Sequence, residues 1–176
     1  MSNQASTPSF GIRYGLLLGL ISILLTLVLY FINPEFLFNI VRSGPLFILT
    51  IAFMVLAVLA ARKANSGLIS FGNAFVVAWL VGIIYTLLSG LFDFVLQTYI
   101  DPNLLEVQRQ LTVDAMESMS SILNEEQMED AIDQAAIAIG KPSTVLIGLV
   151  SSALLSAIPA LIIAAILKRN KKNTYG

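Results

Sequence analysis

Four apolar runs, residues 14–32, 46–61, 71–99 and 145–167, govern what this chain can become. Each approaches the roughly 20 residues an α-helix needs to cross about 30 Å of hydrocarbon. Of the 176 residues, 57% are hydrophobic and only 12% charged, a composition of integral membrane proteins rather than of soluble cores. The expected fold class is all-α: a polytopic membrane protein of one domain, residues 1–176, with four transmembrane helices and an amphipathic helical insertion between the third and the fourth. The first run exceeds a usual signal-peptide core, and Asn33-Pro34-Glu35-Phe36 after it lacks a small-residue cleavage pattern, so it reads as a retained span.

Charge in the connections orients the bundle. Arg13, Arg62, Lys63, Lys168, Arg169, Lys171 and Lys172 share one side of a four-span arrangement, against Arg42, Arg109 and Lys141 on the other. The positive-inside rule makes the first side cytoplasmic, with both termini there. The acids partition oppositely. Glu35 falls in the first outer loop, and Asp101, Glu106, Asp114, Glu117, Glu125, Glu126, Glu129, Asp130 and Asp133 fall between spans three and four; only Asp93 belongs to a span.

The second run is the shortest, its sixteen residues covering roughly 24 Å, so snorkelling by Arg62 and Lys63 or local thinning is expected to close the gap. The third is longer than needed, which predicts tilt or emergent ends. Between them, Asn65-Ser66-Gly67 supplies turn chemistry, with Gly67 permitting the turn and Ser70 capping the incoming helix.

Residues 101–142 are too long for a plain connection and carry helical periodicity. Asp101-Pro102 is a good N-cap and first-turn pair, followed by Leu104, Val107, Leu111, Ala115, Met119 and Ile122 at three- and four-residue spacing. A second helix begins near Asn124, aligns Met128, Ala131, Ile132, Ala135 and Ile139, and stops at Gly140 before Pro142. Their apolar faces require cover from each other, the span ends, the lipid interface or another chain. Their acidic polar faces disfavour anionic lipid, which recruits Lys- and Arg-rich helices.

Small residues repeat every four positions in three spans: Gly11, Gly15 and Gly19; Ala74, Ala78, Gly82, Thr86 and Gly90; Thr144, Gly148, Ser152, Ser156, Ala160 and Ala164. Such stripes allow backbones to approach where lipid gives no hydrophobic drive for association, so spans one, three and four are expected to pack closely. Span two, with Phe53, Met54 and Leu56, is expected to be peripheral.

Asp93 is the one candidate for intramembrane chemistry, because a charge at mid-bilayer costs at least about 2.5 kcal/mol. Some 22 residues, or roughly 33 Å, separate it from Phe71, which places it near the outer boundary and favours an interfacial or helix–helix hydrogen-bonding role over proton or ion handling. Tyr85, Thr86, Ser89 and Gln97 neighbour it by helical spacing. The acidic stripe Glu125, Glu126, Glu129, Asp130 and Asp133 reads as a solvated face rather than a divalent-cation site, since no calcium-loop pattern is present. Met116, Met119 and Met128 read as packing rather than copper ligands. Lys168, Arg169, Lys171 and Lys172 anchor span four, and Asn73, Trp79 and Pro159 read as structural.

Cysteine and histidine are both absent, which removes thiolate nucleophiles, imidazole bases and the usual zinc and haem ligands. Ser89-Gly90 lacks a base partner, and one span carboxylate does not make an aspartyl-protease pair. No enzyme activity, metal, cofactor or nucleic-acid partner is therefore expected.

The segment Arg62-Lys63-Ala64-Asn65-Ser66-Gly67-Leu68-Ile69-Ser70-Phe71-Gly72-Asn73-Ala74-Phe75, with Tyr99-Ile100-Asp101-Pro102 and the acidic helical loop that follows, resembles a bacterial family of four-span integral membrane proteins, domain of unknown function 4199. The resemblance covers nearly the whole chain and implies a bacterial inner-membrane protein with a helical extracytoplasmic loop, residues 101–142. It carries over no activity and no site residues. Two functions fit: a non-enzymatic structural or interaction component whose outer helices engage another membrane or periplasmic protein, or a small transporter or channel subunit using Asp93 and the polar residues Thr86, Ser152 and Ser156.

Overall fold

A computed structural model describes residues 7–118 and 125–169. Met119, Ile122, Asn124, Lys171 and Lys172 lie outside the described residues, as do the side chains of Glu125, Glu126, Met128 and Glu129. The described chain is helical: α1 (Thr7–Ile32), a 3₁₀ turn (Pro34–Phe38), α2 (Ile40–Ala64), α3 (Phe71–Val95) continued by a π-helical turn (Leu96–Ile100), α4 (Asn103–Glu117), α5 (Glu125–Ala138), α6 (Pro142–Leu155) and α7 (Ala157–Leu167). Four helical stretches are long and apolar enough to span a membrane: Thr7–Ile32, Ile40–Ala64, Phe71–Ile100, and α6 with α7 as Pro142–Leu167. The molecule thus has an acidic end, where α4 and α5 lie, and a basic end, where Arg62, Lys63, Lys168 and Arg169 lie.

Helix α3 is the centre, contacting α1, α2, α6 and α7. Its approach to α1 depends on three glycines spaced by four. A Cβ at Gly11 would fall 2.6 Å from the Val77 carbonyl oxygen, one at Gly15 2.7 Å from Ile84 Cβ, and one at Gly19 2.6 Å from Leu88 Cδ1. Only a bare backbone fits at those separations, and the close approach supplies dispersion contacts that lipid does not replace. Helix α3 also presents Ala74, Val77, Ala78 and Val81 to a core completed by Leu18 of α1, Met54, Ala57, Val58 and Ala61 of α2, and Ala160, Ile163 and Ala164 of α7.

Span two is therefore not peripheral, as its sequence suggested. Met54, Ala57, Val58 and Ala61 have no exposed surface, because Gly82 on α3 leaves room for the Met54 side chain, whose Cε would sit 3.0 Å from a Cβ there. Nor does the helix begin at the apolar run. It starts six residues earlier, at Ile40, where the Asn39 side chain caps it by accepting the Val41 N–H at 2.9 Å. Pro45 lies inside this first stretch rather than ending it, a placement membrane helices tolerate. The extension makes α2 long enough to cross without thinning, and it carries Arg42 out of the connection and into the helix.

The fourth span breaks between α6 and α7. Pro159 has no N–H to return to Leu155, and its ring crowds that carbonyl. Local partners satisfy the carbonyl groups near the break: Ala153 O accepts from the Ser156 hydroxyl at 2.7 Å and from Trp79 Nε1 of α3 at 2.9 Å. Trp79 also stacks on Phe75. Below the break α7 is seated in the core; above it α6 has no buried residue.

The two ends are closed differently. At the basic end Ser66 and Gly67 adopt positive φ, the Gly67 N–H reaches Arg62 O at 2.9 Å to terminate α2, and Ser70 caps α3 through the Asn73 N–H. Ile69 and Arg169 exchange backbone hydrogen bonds at 3.0 and 2.8 Å, pinning the chain after α7 to this loop. At the acidic end Leu104 of α4 is buried with Leu29, Leu37 and Leu96. Asp101 fixes that docking. One carboxylate oxygen accepts the Asn103 N–H at 3.1 Å and the other accepts the Tyr30 hydroxyl at 3.0 Å. The first turn of α4 is thus covered by the span ends through Leu104, and α5 packs on α4.

Candidate functional site

The polar centre of the bundle is an ion pair between spans. Arg42, in the first turn of α2, directs Nη2 at both carboxylate oxygens of Asp93 on α3, at 2.6 and 2.8 Å, with the two side chains 13% and 23% exposed. The same Nη2 lies 3.3 Å from Ser89 Oγ, and Nη1 donates to Leu37 O at 3.4 Å. Ser89 also takes a hydrogen bond from Ser22 of α1 at 2.9 Å, so one polar chain ties α1, α3 and α2 together. Nε of Arg42 is buried without an acceptor, as is Oγ1 of Thr26 on α1. An isolated Asp93 at this depth would be costly to ionise; the guanidinium supplies the opposite charge that makes the carboxylate tolerable.

This pair stands at the wall of a cleft of about 970 Å³. Leu46, Phe47 and Thr50 of α2 form one side; Gly82, Thr86 and Gly90 of α3 form the back; Gly148, Ser152 and Leu155 of α6 form the other side. Leu105 and Thr112 of α4, Ala135 of α5 and Ile139 just after it also line it, from the acidic end. The cleft follows from the break in span four. Helix α2 packs against α7 below the break, while α6 above it keeps Thr144, Gly148 and Ser152 exposed.

The small-residue stripes divide accordingly. Gly11, Gly15, Gly19, Ala78, Gly82 and Ala160 are buried at helix contacts, and Ser156 faces Gly82. Gly90 lies against the Leu149 side chain of α6. Gly148 has nothing within 4 Å of where a Cβ would stand, and Ser152 is exposed, so these two line the cleft instead of packing on α3. Thr86 lines it as well. Tyr85, Thr86 and Ser89 of α3 and Gln97 of the π-helical turn line the same cleft as Asp93, but its direct partner is Arg42, which the sequence assigns to the outer connection. Asn39 was the signal that could have found it, since an Asn at this point caps a helix that then includes residue 42. Among the described residues no group of three or more acidic side chains converges as metal ligands.

A family model described as a protein of unknown function, DUF4199, matches residues 13–169. No curated protein and no solved structure matches the chain.

Proposed function

The chain belongs to the DUF4199 family of proteins of unknown function, and on that footing we propose that it is a non-enzymatic component of a bacterial inner membrane that holds an amphiphilic molecule in the cleft between α2, α3 and α6. The observation that carries this reading is the ion pair Arg42–Asp93 beside a cleft whose walls are otherwise uncharged among the described residues, mostly aliphatic, phenylalanine, glycine and hydroxyl side chains with the amides Asn39, Gln97 and Gln108. Ligand sites combine a largely apolar lining with a few converging polar groups and occupy about 300–1,000 Å³. Arg42 and Asp93 are engaged with one another, and Ser89 has no base beside it among its hydrogen-bond partners, so the arrangement suits binding better than bond making. Lys and Arg at the basic end support a cytoplasmic position for that end, with α4 and α5 outside. A cysteine replacing the exposed Asp130 tests this: labelling by an impermeant reagent from the outside is expected, and labelling only from the cytoplasmic side would invert the assignment.

The binding reading is tested by mass measurement of the protein extracted into native-like lipid particles and released in mild detergent. Wild type is expected to carry a lipid-sized adduct that Gly148→Trp loses with an unchanged melting temperature. A bare wild-type chain would refute the reading. A second reading, engagement of another protein through residues 101–142, is favoured by α5, whose Ile137 is exposed beside Asp130 and Asp133. The same measurement reports it as a bound chain that survives Gly148→Trp.

A further inference from the structure

Resting on the cleft-binding reading, we infer that the occupant is a zwitterionic phospholipid bearing a primary ammonium, its phosphate taken by Arg42 and its ammonium by Asp93. The charge count of the cleft selects this class. Among the described residues Arg42 and Asp93 are its only charged lining residues, and they already neutralise each other at 2.6 Å. A purely anionic ligand that took Arg42 would leave Asp93 a partly buried, uncompensated carboxylate; a purely cationic one that took Asp93 would strand Arg42. A molecule that brings both charges replaces the internal pair with two external ones and strands neither. Arg42 has donor capacity for this, since Nη1 holds only a 3.4 Å bond to Leu37 O. A phosphate accepts from a guanidinium at two positions, and an ammonium donates to a carboxylate.

Depth and access point to a lipid rather than a dissolved zwitterion. Asp93 lies at the acidic-end boundary of its span, where a headgroup sits. From there the cleft wall descends along α3 to Gly82, eleven residues or roughly 16 Å lower, past Phe47, Leu149 and Leu155, a surface suited to one acyl chain. Leu105 and Ile139 line the aqueous end, whereas the exposed Leu146, Val150 and Leu154 of α6 turn outward as lipid-facing residues do. Entry is thus lateral, from the leaflet at the acidic end.

The test offers the full chain an equimolar mixture of phosphatidylethanolamine, phosphatidylcholine and phosphatidylglycerol in nanodiscs, followed by native mass spectrometry of the retained lipid. Wild type is expected to retain phosphatidylethanolamine over phosphatidylcholine by about tenfold, the worth of one charge-assisted hydrogen bond, because choline has no N–H to give Asp93. Asp93→Asn is expected to shift retention to phosphatidylglycerol, and the neutral double variant Arg42→Gln/Asp93→Asn, which leaves no unpaired charge to disturb folding, is expected to retain lipid without preference. Equal retention of the three headgroups by wild type, or a preference for phosphatidylglycerol, overturns the inference while leaving the cleft a binding site. No retained lipid of any kind overturns both.

Discussion

At the basic end, Gly11 and Gly15 press α1 onto α3, and Ala160 and Ala164 seat α7 on the same helix with no exposed surface; at the acidic end, α6 continues the four-residue repeat through Gly148 and Ser152 and buries neither. The repeat is the same, so the stripe alone does not bring helices together. Small side chains permit close approach, but the chain must also be aimed at a partner. Pro159 and Ser156 redirect span four, and above that break the small residues become a cleft wall instead of a contact. The acidic half is held by the Leu29, Leu37, Leu96 and Leu104 cluster and by directional bonds: Ser22 to Ser89, Arg42 to Ser89, Arg42 to Asp93, and Tyr30 to Asp101.

The largest expected effect sharpens the contrast between the two glycine sets. Gly15→Leu forces a side chain into the α1–α3 contact and is expected to cost about 3 kcal/mol or more, read as a lowered melting temperature in detergent, whereas Gly148→Leu is expected to stay within about 0.5 kcal/mol. Equal losses would break the division of the bundle into a sealed and an open half. Next in size is Asp93→Leu, which strands Arg42 and is expected to cost about 2 kcal/mol, moderated by the residual exposure of the carboxylate. Adding Arg42→Leu is expected to recover part of that loss; strictly additive losses in a thermal double-mutant cycle would show that the two side chains do not interact.

Smaller effects follow the peripheral polar contacts. Tyr30→Phe removes one oxygen from Asp101 and is expected to loosen α4 by about 1 kcal/mol, seen as faster amide exchange in residues 103–117 with the α1–α3 contact unchanged. Ser22→Ala deletes the link between α1 and Ser89 at an expected cost of about 0.6 kcal/mol, measurable as a small melting shift. A Ser22→Ala loss that exceeded the Gly15→Leu loss would reverse the ranking of packing over hydrogen bonding in this bundle.

Much of the architecture was legible because membrane folding leaves few options. Apolar length announces the spans, and period-3.6 patterning with Asp101 and Gly140 announces the two helices outside them. The boundaries of α2 were less readable. Gly44-Pro45 has the look of a breaker, and only Asn39, capping Val41, marks the true start. That boundary concealed the site, since Asp93 was visible as a span carboxylate but Arg42 was counted among loop cations. The fate of the α6 stripe was hidden for a related reason. Spacing tells which residues share a face, while Pro159 decides where that face points, and its effect depends on Trp79 and Gly82 of another helix.

The direct measurement of the central claim compares two positions on one stripe. The chain contains no cysteine, so Gly148→Cys and Ala160→Cys each create a single thiol, and their reaction with a small thiol reagent in protein freed of bound lipid in mild detergent can be followed by mass. The open cleft predicts that the thiol at 148 reacts while the one at 160 stays unmodified until the bundle is denatured; equal reactivity, or protection at both positions, would contradict it.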